Sequence, residues 1–501
     1  MSGEDTTAEP AQSQPDHQPP AGAETTGTWS GDGGSVAYTA RAGWTILRKK
    51  EKPAAEIFSV SYVADGDGQR PVTFVFNGGP GASSAFLHMG VVGPLRVAFT
   101  SDGRAPQMPP RLVANAESWL AFTDLVLVDP VGTGFSRVIE DDAKDQEDNA
   151  KRNGRAGEYF GYKRDLESLC EFMSRWLSTE RRWGSPVFIA GESYGGYRVG
   201  RLVRMLQETT GIGLSGAVLI SPALEITSLR PTDYDVLGWV DPLPTMALTA
   251  MHHGRSRAFG ADTPAADVRE QAEAFATGEY ATLLTRGASM PAGDRTRILA
   301  RLADLIGLTE DVVARAEGRV TLGTFSRELL RDQRRVVGWY DTTITATDPF
   351  PDRELFAGPD PTLAGIDMAF TTAINRHLRS DIGVQTDREY LLLSDEVNEA
   401  WRNDAPEDFF TPPDGATDDF RYGMSLNPHM KAFITNGHFD LVTPYYATDR
   451  LRNLMRLDAE MAGRLTVRHF DGGHMFYVWE ASRRALTDAL KAFVADALAP
   501  P

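Results

Sequence analysis

The sequence predicts an α/β protein with a mostly parallel central sheet, helices on both faces and an inserted helical cap. Strand-like apolar runs, separated in most places by helical segments, occur at 56–64, 72–76, 125–128, 187–190, 217–220, 432–435 and 465–470. Because parallel strands need long crossover connections, this alternation favours a parallel sheet covered by helices. The stretch between 220 and 432 shows helical periodicity instead, which predicts an insertion into the sheet domain.

This pattern divides the chain into four segments. The first is rich in Pro, Gly, Thr, Gln and acidic residues and is predicted to be disordered. The predicted order is a disordered tail, the first part of the sheet domain, the cap and the second part of the sheet domain, at residues 1–34, 35–222, 223–428 and 429–501. Within the cap, apolar residues at helical spacing predict helices near 295–306, 325–337 and 363–378.

A glycine-serine motif follows the predicted strand 187–190. Gly191-Glu192-Ser193-Tyr194-Gly195 precedes apolar residues at helical spacing. A serine on such a strand-to-helix turn is held on a sharp bend, and the flanking glycines let strand and helix approach closely. Ser193 is therefore the candidate nucleophile. An exposed serine in an ordinary glycine-rich turn is the alternative.

Two C-terminal histidines are candidates for the base that a nucleophilic serine needs. His469 lies inside the predicted strand 465–470, whereas His474 lies in the loop that leaves it. Open α/β sheets bind ligands beyond the carboxyl ends of their strands. The position therefore favours His474 as the base and His469 as a packed core residue.

Asp440 is the candidate acid that orients the base. It lies in the turn after the predicted strand 432–435 and falls between Ser193 and His474, the chain order expected for this kind of site. Its carboxylate would fix the tautomer of the histidine. The alternative is a turn aspartate bonded to its own backbone. The nearby His438 is interpreted as a loop residue packed beside the site.

The loop after strand 72–76 is the candidate site for the oxyanion. Its sequence is Asn77-Gly78-Gly79-Pro80-Gly81-Ala82-Ser83-Ser84, in which the glycines leave backbone amides unobstructed. The N–H groups of Gly79 and of Tyr194, the residue after the nucleophile, are the predicted donors. An ordinary Pro/Gly turn is the alternative for the loop taken alone.

Five segments together resemble the serine carboxypeptidase family of α/β-hydrolases. They are NGGPGASS at 77–84, DPVGTGFS at 129–136, GESYGG at 191–196, DLVTP at 440–444 and GHM at 473–475, and they occur in the family's order. The resemblance implies an α/β-hydrolase fold with a cap over the active site. It also implies a serine-type carboxypeptidase that removes C-terminal residues from peptides through an acyl-enzyme, here a bacterial-type member without disulfides.

The resemblance implies a role for each matching residue. The implied catalytic triad is Ser193, Asp440 and His474, and the implied oxyanion hole is formed by Gly79 and Tyr194. The residues implied to bind the C-terminal carboxylate of the substrate are Asn77, Gly78 and Glu192.

One departure from the family concerns carboxylate recognition. Members usually carry a second glutamate two residues before a Gly-Pro pair, and here that position, before Gly93-Pro94, holds Val91. Two carboxyls that share a site keep one proton between them, which supplies a donor at acidic pH. With Val91, Glu192 depends on burial alone to stay neutral. Recognition of the carboxylate is therefore expected to be weaker or less dependent on acid.

The net charge and the cysteine content indicate which binding partners and which cellular compartment are expected. With 51 basic and 69 acidic residues the net charge is −18, so neither nucleic acid nor an anionic membrane is an expected partner. No apolar run approaches the roughly 18 residues of a membrane span, and the first 34 residues lack the apolar core of a signal peptide. The single cysteine, Cys170, is expected in the core and cannot form an intramolecular disulfide, so a cytoplasmic enzyme is expected.

No metal and no cofactor are expected. The sequence has no His-Glu-x-x-His, and one cysteine cannot form a thiolate cluster. The acidic run at 140–148 lacks the glycine and spacing of a calcium loop and is interpreted as solvated charge. The expected partner is a peptide with a free C-terminal carboxylate. Two other functions stay open: a serine esterase or acyltransferase on the same fold, and a non-catalytic binding protein.

Overall fold

The computed structural model contains a ten-stranded sheet at its centre. It describes residues 17–31, 34–66, 69–139, 155–353, 356, 358–402 and 415–500. The strands of this sheet are β1 (Ala23–Gly31), β2 (Gly34–Lys49), β3 (Lys52–Ala64), β4 (Val72–Phe76), β7 (Asp124–Val128), β8 (Arg137–Val138), β9 (Val187–Glu192), β10 (Leu214–Ile220), β13 (Lys431–Thr435) and β14 (Leu465–Val467). Two further pairs are β5 (Leu95–Val97) with β6 (Leu112–Ala114), and β11 (Arg335–Val337) with β12 (Thr345–Thr347).

The sheet has an antiparallel edge and a parallel body. Its order is β1-β2-β3-β7-β4-β9-β10-β13-β14, with β8 beside β3. The pairs from β1 to β7 are antiparallel, and the pairs from β7 to β14 are parallel. The carboxyl ends of β4, β9, β13 and β14 therefore meet at one edge, where the predicted site residues follow each strand.

Helices cover both faces of the sheet and also form most of the insertion. They are α1 (Ala85–Leu87), α2 (Arg155–Tyr159), α3 (Tyr162–Thr179), α4 (Tyr194–Met205), α5 (Leu237–Val240), α6 (Leu243–His252), α7 (Ala265–Phe275), α8 (Ala281–Arg286), α9 (Ala292–Ile306), α10 (Glu310–Arg315), α11 (Leu322–Glu328), α12 (Pro361–Arg376), α13 (Asp395–Ala400), α14 (Thr417–Leu426), α15 (Tyr445–Leu454), α16 (Ala459–Gly463) and α17 (Glu480–Ala497). Among the described residues, no helix is long and apolar enough to cross a membrane.

The core has one layer on each side of the sheet, which explains the unbroken apolar runs in the parallel strands. Along β4, Phe74 and Phe76 pack into the layer formed with α3 and α4, whereas Val75 packs into the layer formed with α12 and α17. Successive residues of a strand point to opposite faces, so every residue of such a strand is buried. Cys170, on α3, belongs to the first layer, and burial raises the pKa of its thiol to about 12.

The prediction of a disordered tail over residues 1–34 is wrong for its last part. β1 pairs with β2 along its whole length, and the buried Trp29 ring donates from Nε1 to the carbonyl of Asn115 at 2.7 Å. The Thr-rich alternation of residues 23–31 fits an edge strand once a partner is present, and composition alone does not reveal that partner. Residues 1–16 and 32–33 of the predicted tail, and the acidic run 140–148, lie outside the described residues.

The predicted cap, residues 223–428, divides into parts with different packing. Helices α5 to α11 enclose a third apolar core that extends from Trp239 to Val337 and also includes Leu441 and Tyr445. By contrast, α12 and α14 pack into the two layers of the sheet domain. The predicted helix at 325–337 is wrong at its end, because Val336 and Val337 pair as β11 with β12.

Candidate active site

Ser193 occupies a strained turn between β9 and α4. Its φ and ψ are 61° and −123°, a left-handed conformation that is unusual for a residue with a side chain. The turn is held by its backbone, since the Ser193 N–H donates to the Ile220 carbonyl at 3.0 Å and its own carbonyl accepts from Ala223 at 3.1 Å. Ser193 is partly exposed while its neighbours on both sides are buried. This geometry presents the hydroxyl at the edge of the sheet.

Glycines make this turn possible by close approach. A Cβ atom on Gly191 would lie 2.1 Å from the carbonyl oxygen of Gly195, and one on Gly195 would lie 2.6 Å from that of Phe76. A Cβ on Gly196 would lie 2.4 Å from the Cβ of Pro222. Strand, helix and the neighbouring loops could not pack this tightly around Ser193 with larger residues.

Asp440 and His474 meet beyond the ends of β13 and β14. Nδ1 of His474 lies 2.7 Å from Oδ2 of Asp440, and both side chains are buried. A carboxylate oxygen only accepts, so Nδ1 carries the ring proton and Nε2 is left with a free lone pair. Within the described residues the hydrogen bonds of the ring are made by Nδ1 alone, to Asp440 and Thr443.

The two loops that carry this pair touch through glycine. A Cβ atom on Gly437 would lie 2.0 Å from the carbonyl oxygen of Gly473, so any other residue would force the Asp440 and His474 loops apart. The same region is tied to the nucleophile, because the hydroxyl of Ser221 donates to the His474 carbonyl at 2.8 Å and Ser221 follows Ile220. No hydrogen bond joins Ser193 to His474 among the described residues; without substrate this bond is often long.

The surroundings of His474 favour its charged form. Burial lowers the pKa of the imidazole, but the attraction and hydrogen bond of Asp440, with the nearby Glu192, outweigh this and raise the pKa above its ordinary value. An imidazolium at this position is therefore stabilised by its surroundings.

Gly79 and Tyr194 carry the backbone amides of the candidate oxyanion hole. A Cβ on Gly78 would lie 2.4 Å from the Tyr194 nitrogen, so the loop after β4 packs directly against the start of α4. Among the hydrogen bonds of the described residues, the Gly79 and Tyr194 N–H groups donate to no protein acceptor. Amides without a protein acceptor, close to the candidate nucleophile, are what an oxyanion hole requires.

Buried charged groups hold this loop in place at both ends. Arg198 donates to the Asn77 carbonyl at 2.6 Å and is itself fixed by Asp165 at 2.8 Å. At the other end, Oδ1 of Asp129 accepts from the N–H and the hydroxyl of Ser84, each at 2.9 Å. Burial raises the pKa of Asp129 to about 6. The resemblance gave no role to Arg198 or Asp165. The contact between Arg198 and Asn77 joins residues 121 positions apart.

Glu192 and Asn77 form the candidate carboxylate site. Nδ2 of Asn77 lies 2.9 Å from Oε2 of Glu192, and both side chains are buried. Burial raises the pKa of Glu192 to about 7, against the opposing effect of His474 and the hydrogen bonds from Tyr477 and Asn77. A neutral carboxyl can donate to a ligand carboxylate that an ionised one would repel.

Comparison with known proteins matches part of the chain to a known family. Residues 36–231 match the serine carboxypeptidase family. The chain is 29% identical over 199 residues to "Serine carboxypeptidase-like 36" of Arabidopsis thaliana and 31% identical over 146 residues to the "Pheromone-processing carboxypeptidase kex1" of Sclerotinia sclerotiorum. These matches cover 39% and 28% of this chain, and 36% and 19% of the relatives.

A solved structure supports the fold over nearly the whole chain. Kex1(Δ)p, a prohormone-processing carboxypeptidase from Saccharomyces cerevisiae, aligns over 92% of both chains with a TM-score of 0.52 and 16% identity. The α/β-hydrolase fold predicted from the sequence is thereby confirmed, together with the mostly parallel sheet flanked by helices.

Tyr477 is a residue of this site that the sequence did not reveal. Tyr477 lies in a short turn of 3-10 helix that follows the His474 loop. Its hydroxyl lies 2.6 Å from Oε2 of Glu192. The residues in contact are 285 positions apart. Val91 and Tyr477 are both buried in the same layer of the core. The only available signal was the short distance in sequence between Tyr477 and His474.

The insertion reaches the site through Tyr340 and Asp341. The ring of Tyr340 meets the ring of His474 edge to face, with centroids 5.2 Å apart, and its carbonyl accepts from the His474 N–H. Oδ2 of Asp341 accepts from the N–H of Gly473 at 3.2 Å and from Nε1 of Trp479 at 3.1 Å. Burial raises the pKa of Asp341 to about 6. These two residues position the loop that carries the base.

An apolar cavity of about 410 Å³ lies beside the Asp440 turn. Its walls come from the insertion and from the turn itself, and include Trp239, Leu322, Trp339, Leu441 and Val442. Trp339 is 40% exposed and lines this space.

His469, the other candidate base, and the nearby His438 both lie outside the Asp440–His474 pair. Nε2 of His469 is 3.2 Å from Asp449, and Nδ1 of His438 is 3.1 Å from Asp471. Neither hydrogen-bonds to Asp440 within the described part of the chain. The described residues also contain no group of three or more His, Cys, Asp or Glu side chains that could hold a metal ion.

Proposed function

We propose that the protein is a serine carboxypeptidase that removes C-terminal residues from peptides through an acyl-enzyme. The observation that carries the proposal is the combination of the strained Ser193 turn with the buried Asp440–His474 pair and the neighbouring Glu192–Asn77 pair. The first two features supply a nucleophile and its base. The third supplies donors for a terminal carboxylate, which distinguishes an exopeptidase from other serine hydrolases.

In the proposed reaction, Nε2 of His474 takes the proton of Ser193 while the serine oxygen attacks the last peptide carbonyl. The oxyanion accepts hydrogen bonds from the Gly79 and Tyr194 amides. The imidazolium then gives its proton to the leaving amine, and the shortened peptide stays attached to Ser193 as an ester. Water, activated by the same imidazole, releases the acyl group and restores the serine.

The leaving residue is held by its carboxylate. One N–H of the Asn77 amide is used by Glu192, so the second is available to the substrate. The neutral Glu192 carboxyl donates a further hydrogen bond, and the Gly78 amide lies beside them. The apolar cavity near Trp339 is the proposed space for an apolar side chain of the substrate.

The test compares three substrates that share one acyl part: a blocked dipeptide with a free C-terminus, its C-terminal amide and a simple ester. A carboxypeptidase prefers the first by at least tenfold in kcat/KM, and Ser193→Ala abolishes turnover without unfolding the protein. Preference for the ester, or equal rates on acid and amide, would favour the esterase or acyltransferase instead. Failure of a fluorophosphonate to label Ser193 would favour a non-catalytic protein. Digestion of a peptide library, read by mass spectrometry, reports the side-chain preference.

We also propose that the enzyme acts in the cytoplasm. The support is the single cysteine of the chain, which is buried and whose pKa is raised by that burial, so the protein needs no oxidising compartment. Cell fractionation with antibodies to the protein tests this, and recovery outside the cytoplasm would contradict it.

A further inference from the structure

The orientation of the Asn77 amide is fixed by a backbone donor. The Leu87 N–H lies 3.1 Å from Oδ1 of Asn77 and can only donate, so Oδ1 must be the acceptor there. The NH₂ group therefore faces Glu192 and donates to its Oε2. The assignment follows from chemistry and does not depend on telling nitrogen from oxygen.

Tyr477 donates to the same oxygen. Burial, with the negative charge of Glu192, raises the pKa of the phenol well above its ordinary value, so the hydroxyl keeps its proton. The ring reaches this position because residue 90 is glycine: a Cβ there would lie 2.5 Å from Cε2 of Tyr477. Within the described part of the chain, both donors to Glu192 meet Oε2, and Oε1 is left for a ligand.

A carboxyl oxygen has two lone pairs, and both on Oε2 are used. The proton of a neutral Glu192 must then sit on Oε1. We propose that Tyr477 is a positioning residue for carboxylate recognition: with Asn77 it saturates Oε2 and so holds the acid proton on Oε1, where a substrate carboxylate accepts it. This inference rests on the proposed carboxypeptidase function and adds a residue to its substrate site.

The charged groups that face Glu192 act in opposite directions. His474, when protonated, favours the ionised carboxylate, and Asp440 disfavours it. Tyr477 and Asn77 are neutral, and their hydrogen bonds favour the ionised form. Removing the Tyr477 hydroxyl therefore raises the pKa of Glu192 and, at the same time, lets the proton occupy either oxygen.

The experiment measures Tyr477→Phe on the free-acid and amidated peptides. KM for the free acid is expected to rise about 3- to 10-fold, the effect of one hydrogen bond, with kcat nearly unchanged. KM for the amide stays the same. The alkaline limb of kcat/KM for the free acid moves to higher pH, since Glu192 stays neutral longer. An equal change of KM on both substrates would overturn the proposal. So would an alkaline limb of kcat/KM that stays at the same pH.

Two further variants keep the result interpretable. Tyr280→Phe also deletes a buried phenol hydroxyl, one that donates to the Gly318 carbonyl within the insertion, and is expected to leave both KM values unchanged. Gly90→Ala keeps the Tyr477 hydroxyl but displaces the ring, so it is expected to raise KM for the free acid in the same way. If Tyr477→Phe does not fold, the KM values of Gly90→Ala on the two peptides test the proposal instead.

A readout without substrate separates this proposal from the proposed function. The infrared C=O band of protonated Glu192, assigned by its loss in Glu192→Gln, is recorded about two pH units below its pKa. With one donor fewer on Oε2, the band is expected to move to higher frequency in Tyr477→Phe. If the wild type cleaves no peptide, the carboxypeptidase function fails while this shift still supports the positioning. An unchanged band would refute it even in an active enzyme.

Discussion

Asp440 and Glu192 are both buried carboxylates of one site, but their donors differ. Asp440 accepts at Oδ1 from the N–H groups of Val442 and Thr443, and at Oδ2 from His474, with the Thr443 hydroxyl 2.6 Å away. Glu192 accepts from two neutral side chains, and both reach Oε2. One carboxylate has donors on both oxygens, and the other has an oxygen left open.

This difference shows how two carboxyl groups that are buried to a similar extent can be suited to different roles, one as a proton donor and the other as a hydrogen-bond acceptor. The open oxygen of Glu192 can carry a proton, and burial raises its pKa to about 7. Asp440 has its oxygens engaged by the backbone and by the imidazole, so it serves as a fixed acceptor that orients His474. In the proposed function, the placement of donors, more than burial, separates Glu192 as a proton donor to substrate from Asp440 as the partner of His474.

The largest expected effect comes from removing the acceptor role of Asp440. In Asp440→Asn, the amide can donate to Nδ1 and stabilise the wrong tautomer of His474, so kcat is expected to fall on the order of 10⁴-fold. Steady-state kinetics on the free-acid peptide measure the loss, and thermal unfolding controls for folding. A kcat within tenfold of wild type would show that Asp440 is not the orienting acid.

Glu192→Gln tests the proton on the other carboxylate. In the wild type, activity rises as His474 loses its proton, and KM for the free acid worsens above about pH 7 as Glu192 ionises. Glutamine stays neutral: its carbonyl can accept from Tyr477 and Asn77 while its amide donates in place of Oε1. We expect KM to stay flat up to about pH 9, where the wild type is more than tenfold weaker. If KM for the free acid depended on pH in the same way in Glu192→Gln and in the wild type, this prediction would be wrong.

The same substitution is expected to change stability with pH. The folded state keeps the Glu192 proton between the ordinary pKa of 4.5 and about 7, whereas the unfolded chain has lost it. This contribution to stability is therefore present below 4.5 and lost as the pH rises to about 7. From about pH 4 to 8, Glu192→Gln should gain about 1–3 kcal/mol in unfolding free energy relative to wild type. Urea titrations measure it, with the exposed Glu270→Gln as a control that should show no gain.

The smallest effect is expected from Thr443→Val. This change removes a hydroxyl from the neighbourhood of Asp440 but leaves the Val442 amide and His474 as donors. We expect kcat to fall about 3- to 10-fold with KM unchanged. Tyr477→Phe should do the reverse, raising KM and sparing kcat. If both variants changed the same parameter, the two carboxylates would not have separate tasks.

Residues fixed by local patterns were predictable from the sequence. Ser193, Asp440 and His474 each follow an apolar strand at the carboxyl edge of the sheet, and the strand β4 was placed at its observed bounds. Short, fully buried strands give unbroken apolar runs that stand out from helices. The loops that carry the candidate catalytic residues begin where these apolar runs end. The end of each predicted strand therefore indicates where a site residue lies.

Contacts made by distant parts of the chain were not predictable. Tyr477 reaches Glu192 across 285 residues, and Asp341 reaches Gly473 across 132. No spacing rule connects such pairs, because they meet only when the insertion and the C-terminal loop pack together. The strand β1 was missed for a related reason, since its polar composition indicates disorder until pairing with β2 is known.

The hold of Tyr340 and Asp341 on the His474 loop has a consequence for how specificity can change. A movement of Tyr340 and Asp341 away from the sheet domain would break these contacts and release the loop that holds the imidazole. Mutations in this stretch are expected to alter turnover together with side-chain preference. In the proposed substrate pocket, Leu322 and Trp239 line the cavity, so substitutions there are expected to change side-chain preference with less effect on turnover.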